Sequence, residues 1–164
     1  MARTTIATLK FVGTISLGLL TGVSYNLSAL TMPSLLALPS ATTAQHTFSR
    51  LQTLTRTHLG ALTALSTSTL VLAYSFSPRR GRHPYLLWTA LAATLSAGGD
   101  VWFAQQRRKA LKDRRTRDEP DSPTVNGEEV RNGMERFRLV QGVRAGLAGL
   151  GFAMSVVGIW GDGY

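Results

Sequence analysis

A tight basic turn with a charge-poor run on each side constrains this chain more than any other feature. The turn is Ser77-Pro78-Arg79-Arg80-Gly81-Arg82-His83-Pro84-Tyr85. Upstream, residues 58–77 hold no Asp, Glu, Lys or Arg, and downstream, residues 84–104 hold only Asp100. A helix that crosses a bilayer takes about 20 predominantly apolar residues, and both runs reach that length. The connection is too short to fold by itself. The two runs therefore read as an antiparallel helical hairpin with its turn at a membrane surface. Pro84 suits the first turn of the second helix, where the N–H it lacks would have no partner anyway. The three arginines would be costly in hydrocarbon and are favourable beside anionic headgroups.

Two more apolar runs extend the pattern. Residues 11–32 carry no charge, and residues 139–161 carry only Arg144. The first begins like a secretory signal, with Arg3 and Lys10 ahead of it. A cleavable apolar region is shorter than this one, so the run is read as a retained span. Pro33 and Pro39 are expected to close it. Residues 34–56 read as a Ser/Thr-rich loop with an interfacial helix around 48–54. Trp88 near one end of the third run, and Trp102 and Phe103 near the other, fit the two aromatic belts of a bilayer. The expected fold is all-α: one membrane domain over 1–164, a four-transmembrane-helix bundle with spans at about 11–32, 58–77, 84–104 and 139–161.

Residues 105–136 differ in kind. A basic half from Arg107 to Arg117 precedes acids at Asp118, Glu119, Asp121, Glu128 and Glu129, with Pro120, Pro123 and Gly127 between. The segment has no aromatic residue and little apolar surface to offset ordering entropy. It reads as a disordered basic loop between helices 3 and 4, its basic half lying on lipid headgroups. Lys and Arg are more numerous on this side than on the side of the termini and turn. That bias points the loop to the cytosol.

The net charge of +9 raises nucleic acid as a partner. The basic residues instead flank apolar runs, and no aromatic residue is interleaved with the longest basic cluster. The expected partners are therefore the lipid bilayer and anionic headgroups, with no nucleic acid. The absence of cysteine excludes a disulfide framework, a thiol nucleophile and a Cys-ligated zinc. His46, His58 and His83 have no helical partner that would make a metal pair. No nucleotide-binding or hydrolase motif is present in a fitting context, so no cofactor is expected.

Gly142 and Gly146 form a GxxxG pair, as do Gly18 and Gly22. The spacing serves packing inside the bundle or association with a second copy. Asp100 and Arg144 are the charges well inside spans. Each lies about five residues from the same surface, roughly 8 Å deep at 1.5 Å per residue. The expected arrangement is an ion pair across the third and fourth helices. The alternatives are Arg144 snorkelling to phosphates while Asp100 faces water, and a proton or substrate site.

The stretches Arg82-His83-Pro84-Tyr85-Leu86-Leu87, Leu91-Ala92-Ala93, Gly151-Phe152 and Val157-Gly158-Ile159-Trp160-Gly161-Asp162-Gly163 resemble the autophagy-related protein 33 family. These are small fungal four-span proteins of the mitochondrial outer membrane. The resemblance covers the third and fourth spans in detail and the first two in pattern. It implies a multi-pass protein of that membrane that promotes selective autophagy of mitochondria, with no enzyme activity. The candidate partners are then the autophagy machinery and a second copy of the chain. The residues singled out as structural candidates are Arg82, His83, Pro84, Tyr85, Asp100, Gly142, Arg144, Gly146, Gly158 and Gly161. Residues 105–136 depart from the family's pattern, being shorter and more basic than its acidic, Ser-rich loop. A second resemblance, to anthrone oxygenases, rests on Gly18, Gly22 and Pro33 in the first span and Arg144 in the last. It implies a small four-span membrane enzyme.

Overall fold

Why Pro33 does not end the first helix shows how this chain builds its elements. In the computed structural model, which describes residues 2–78, 83–116 and 127–161, helix α1 (Ala2–Asn26) passes into a π-helical turn (Leu27–Thr31) and then into α2 (Met32–Leu36). The Met32 N–H bonds to the Leu27 carbonyl, five residues back, and Pro33 follows in the first turn of α2. A proline in a helix lacks the N–H and crowds the carbonyl four residues earlier. The wider turn absorbs that conflict. Side chains take up carbonyls locally: Ser34 Oγ donates to Leu30 O at 2.8 Å and Thr31 Oγ1 to Asn26 O at 3.3 Å. The expectation that Pro33 closes the helix is corrected; the helix stops only before Pro39.

Ser40 then starts α3 (Ala41–Phe76). Its backbone is extended, and its hydroxyl accepts from the Thr43 N–H. Helix α4 (Tyr85–Thr116) and helix α5 (Gly127–Gly161) complete the chain, and no strand occurs among the described residues. Helix α1 packs on α3 and α5, and α4 packs on the same two, so the four long helices form a ring. Close approaches fix the registers. Gly13 lies against Thr69 and Leu70, and Gly18 lies against Phe152. Tyr85 meets Gly158, Ala92 meets Gly151 and Val140 meets Gly99, so α4 and α5 run antiparallel.

Among the described residues, three helices are long and apolar enough to cross a membrane: Thr4–Leu36, Ala41–Phe76 and Gly127–Gly161. Helix α4 has the length, 32 residues, but Gly98, Gly99 and Asp100 dilute its apolar run. Around an interior core that includes Leu17, Leu20, Leu59, Leu70 and Leu86, the bundle both exposes large apolar side chains and buries polar ones. Outside stand Phe11, Leu19, Leu72, Phe76, Leu139, Val143, Leu150, Val157 and Trp160; inside are Thr14, Ser24, Thr63, Ser66, Thr69, Thr89, Ser96, Gln141, Arg144 and Ser155.

A disordered basic loop over 105–136 is not what the structure shows. Residues 105–116 continue α4 and residues 127–136 begin α5; residues 117–126 lie outside the described residues. Two physical reasons explain the difference. Gln, Arg, Lys, Ala and Leu dominate 105–112, and all are good helix formers. Val130, Met134 and Phe137 repeat at helical spacing, which gives the start of α5 an apolar stripe to bury. The loop expected over 34–56 is likewise mostly helix, because α3 begins at Ala41.

The two extensions meet in a core of their own. Met32, Ala44, Phe48, Met134 and Phe137 are buried together, backed by Leu35, Leu36, Leu51 and Val130. Phe48 and Phe137 pack edge to face, centroids 5.6 Å apart at 82°. Helix α3 has 36 residues. An apolar slab of about 30 Å measured from the hairpin end covers roughly 20 residues and reaches Arg56. Phe48 and its partners lie beyond it, so this core caps the bundle outside the slab. Phe137→Ala is expected to destabilise the protein by about 3 kcal/mol, read as a lowered unfolding temperature in detergent. Substituting outward-facing Arg136 with Ala should leave that temperature nearly unchanged.

Candidate functional site

The two sequence stretches that stood out, around Tyr85 and around Gly158, come together. Helix α4 starts with Pro84 O accepting from the N–H groups of Leu87 and Trp88, at 3.1 and 3.2 Å. That start aims the Tyr85 ring across at α5, where it lies directly on Gly158. A Cβ at position 158 would overlap the ring. Lys10 of α1 places its Nζ 5.7 Å from the centre of the same ring, and the His83 ring stacks 6.1 Å away at 29°. One tyrosine thus ties the first helix, the hairpin and the last helix at one end of the bundle. Below it Leu70, Leu86 and Ala90 form a buried cluster. Arg82 lies outside the described residues, as do Asp162, Gly163 and Tyr164.

Each GxxxG pair divides its work. Gly142 lies against Ser28 of the π turn and Gly18 against Phe152, whereas Gly146 and Gly22 have nothing nearby. Gly142 and Gly18 thus face neighbours inside the bundle. Gly161 is also open, at the end of α5.

Arg144 is 1% exposed, the largest fully buried side chain described. Its Nη2 donates to Thr63 Oγ1 across the bundle at 3.3 Å, and buried Gln141 stands one turn away on the same helix. Arg144 therefore points into the bundle and does not reach outward along its surface. Asp100 follows Gly99 on α4, and Gly99 abuts Val140, one turn from Arg144 on α5. The backbone so places Asp100 at about the height of Arg144; its side chain lies outside the described residues.

Several other buried hydroxyls turn back on their own helices, whereas Ser24 Oγ and Thr67 Oγ1 are buried with no partner among the described residues. Thr63 donates to Leu59 O, Ser66 to Thr63 O, Thr69 to Leu65 O, Thr89 to Tyr85 O and Ser96 to Ala93 O. Thr14 and Ser155 share the one hydroxyl pair between helices that is seen among the described residues. Small hydroxyl residues that bond this way let helices approach closely without burying an unmet polar group. Among the described residues, no group of three His, Cys, Asp or Glu could hold a metal ion. The sequence reading missed the π turn and the Phe48–Phe137 core. Pro33 between apolar residues, and the spacing of Val130, Met134 and Phe137, were the available signals.

Three helices long and apolar enough to cross a membrane, with large apolar side chains such as Phe11, Leu139, Val157 and Trp160 on the outside, suggest a helical membrane protein. Residues 1–119 match the family described as Autophagy-related protein 33. A relative named Autophagy-related protein 33, from Gibberella zeae, is 41% identical over 184 residues, covering 98% of this chain and 93% of the relative. The chain belongs to the Autophagy-related protein 33 family. No solved structure matches it. The family match ends within the segment after α4, so the meeting of Tyr85 with Gly158 joins a matched residue to one beyond the match.

Two outcomes follow from this geometry. Gly158→Ala should cost about 1–3 kcal/mol, because the Tyr85 ring must leave its seat. Gly146→Ala, facing open space, should be tolerated, and the contrast is read from thermal unfolding in detergent. Arg144→Ala should lower steady-state protein level. Adding Asp100→Asn should restore part of the loss, and a double mutant as depleted as the two single losses combined would show the charges to be independent.

Proposed function

We propose that this chain is a four-span protein of the mitochondrial outer membrane that promotes selective autophagy of mitochondria, with no catalytic activity of its own. Membership in the Autophagy-related protein 33 family over nearly the whole chain carries this reading. Helix α4 supplies the fourth span: Leu87, Trp88, Leu91, Leu95 and Val101 face outward along it, as lipid-facing residues do. The relative is named as an autophagy-related protein and not as an enzyme.

Recruitment in this reading does not run through a strand-adding peptide of the aromatic-x-x-aliphatic kind. Phe48-Ser49-Arg50-Leu51 has the spacing, but it lies in α3 with Phe48 buried against Phe137. Residues 105–136 contain no aromatic residue. A tagged chain should colocalise with an outer-membrane marker of mitochondria, and a deletion strain should process a mitophagy reporter more slowly. Residence in another membrane, or unchanged reporter processing, would contradict the proposal.

A further inference from the structure

The hydroxyls of α1 do not all behave alike. Thr14 donates to Lys10 O and Thr21 to Leu17 O, each one turn back along the helix, at 2.8 Å. Ser24 does not. It is fully buried, and its Oγ has no partner among the described residues. A buried hydroxyl left unmet is costly, and in a folded protein such a group calls for a partner.

The register of α1 on α5 decides what Ser24 faces. Leu17 lies against Gly151, Thr21 against Gly149 and Ser28 against Gly142, so the two helices run antiparallel. A step of seven residues is close to two full turns and returns a helix to nearly the same face. Seven on from Leu17 is Ser24, and seven back from Gly151 is Arg144. Ser24 therefore stands opposite Arg144. Arg144 is itself buried and donates from Nη2 to Thr63 Oγ1 of α3, and buried Gln141 lies one turn away on α5. Leu20, Leu27, Leu59 and Ala148 enclose the same level as one buried cluster.

We propose that Ser24, Arg144 and Gln141 hold an ordered internal water molecule at this level. The chemistry of the side chains selects it. A hydroxyl and a side-chain amide each donate and accept, and a guanidinium carries several donors that serve more than one partner. Water accepts from the guanidinium and still has protons for the hydroxyl and the amide. Internal waters make about three hydrogen bonds of this kind. A cation would be repelled by Arg144, and an apolar molecule would leave the hydroxyl unmet. An anion would have to shed its hydration shell for a guanidinium already shared with Thr63. Through the water Arg144 reaches α1 as well as α3, so one buried cation ties three helices. The site needs only the helix register, and it is the same whichever membrane surrounds the bundle.

A brief X-ray pulse on the full chain in phosphatidylcholine vesicles converts bound water to hydroxyl radicals in place, and mass spectrometry reads which side chains they oxidise. Leu20 and Leu59, at the level of Ser24, should be oxidised several times faster than Leu70 and Leu86, which are as deeply buried but lie toward the hairpin end. Ser24→Ala should bring Leu20 and Leu59 down to the rate of Leu70 and Leu86. Ser66→Ala removes a hydroxyl that Thr63 O already meets, and it should leave all four rates unchanged. Equal oxidation of the two leucine pairs in the unaltered chain overturns the proposal and needs no variant to show it. Undiminished oxidation of Leu20 and Leu59 in Ser24→Ala overturns it as well. A difference between the pairs that appears only with added chloride or phosphate assigns the site to an anion and does the same.

Discussion

A backbone in hydrocarbon must satisfy its own hydrogen bonds, and this structure answers to that demand first. Among the described residues every element is helical, and even the proline at 33 is accommodated by shifting to a five-residue bond and not by opening the chain. The same demand explains the hydroxyls. Thr63, Thr69 and Thr89 sit in the interior at no cost because each returns its proton to a carbonyl of its own helix. Once the polar groups are met locally, lipid gives the helices no hydrophobic reason to associate. Close packing must hold them, and the glycines supply it: Gly13, Gly18, Gly99, Gly151 and Gly158 each admit a side chain from the facing helix.

Arg144, like the Thr14–Ser155 pair, is not satisfied within its own helix alone. It reaches another helix, and its burial makes α5 the element whose position is fixed most narrowly, by Thr63 on one side and Tyr85 on Gly158 further along. These two constraints lie toward opposite ends of the membrane-type section, so α5 can neither slide nor turn without breaking one. The Phe48–Phe137 contact adds a third outside the slab. The last helix is thereby the member of the ring tied at three heights.

The apolar runs were legible because a stretch of about 20 uncharged residues admits few alternatives. Helices enclose all four, and the Pro84–Tyr85 start of α4 was visible from the proline alone. What lay beyond the runs was not legible, because two opposite signals overlap there. Average polarity over 105–136 argued for disorder, while the spacing of Val130, Met134 and Phe137 argued for a buried stripe; composition outweighed periodicity, wrongly. Residues 41–56 were misread for the same reason, since their Ser and Thr other than Thr55 face outward around a buried edge of Ala44, Phe48 and Thr55. At the candidate site, the motifs at Tyr85 and Gly158 were each found, but their contact was not. Nothing in either stretch states which helix the ring will meet.

The helical extension changes what its charges can do. Twelve disordered residues would fall onto the nearest anionic surface, their own membrane, and the ordering entropy lost there would be repaid by contacts spread along the segment. A helix continuous with an apolar run has already spent that entropy, through propensity and the packing of its neighbours. It cannot bend to its own headgroups without breaking backbone bonds. The height of each basic residue along α4 is thereby set by the helix and not by the surface nearest to it. Position along a rigid helix, more than the number of basic residues, therefore decides which surface each charge can serve.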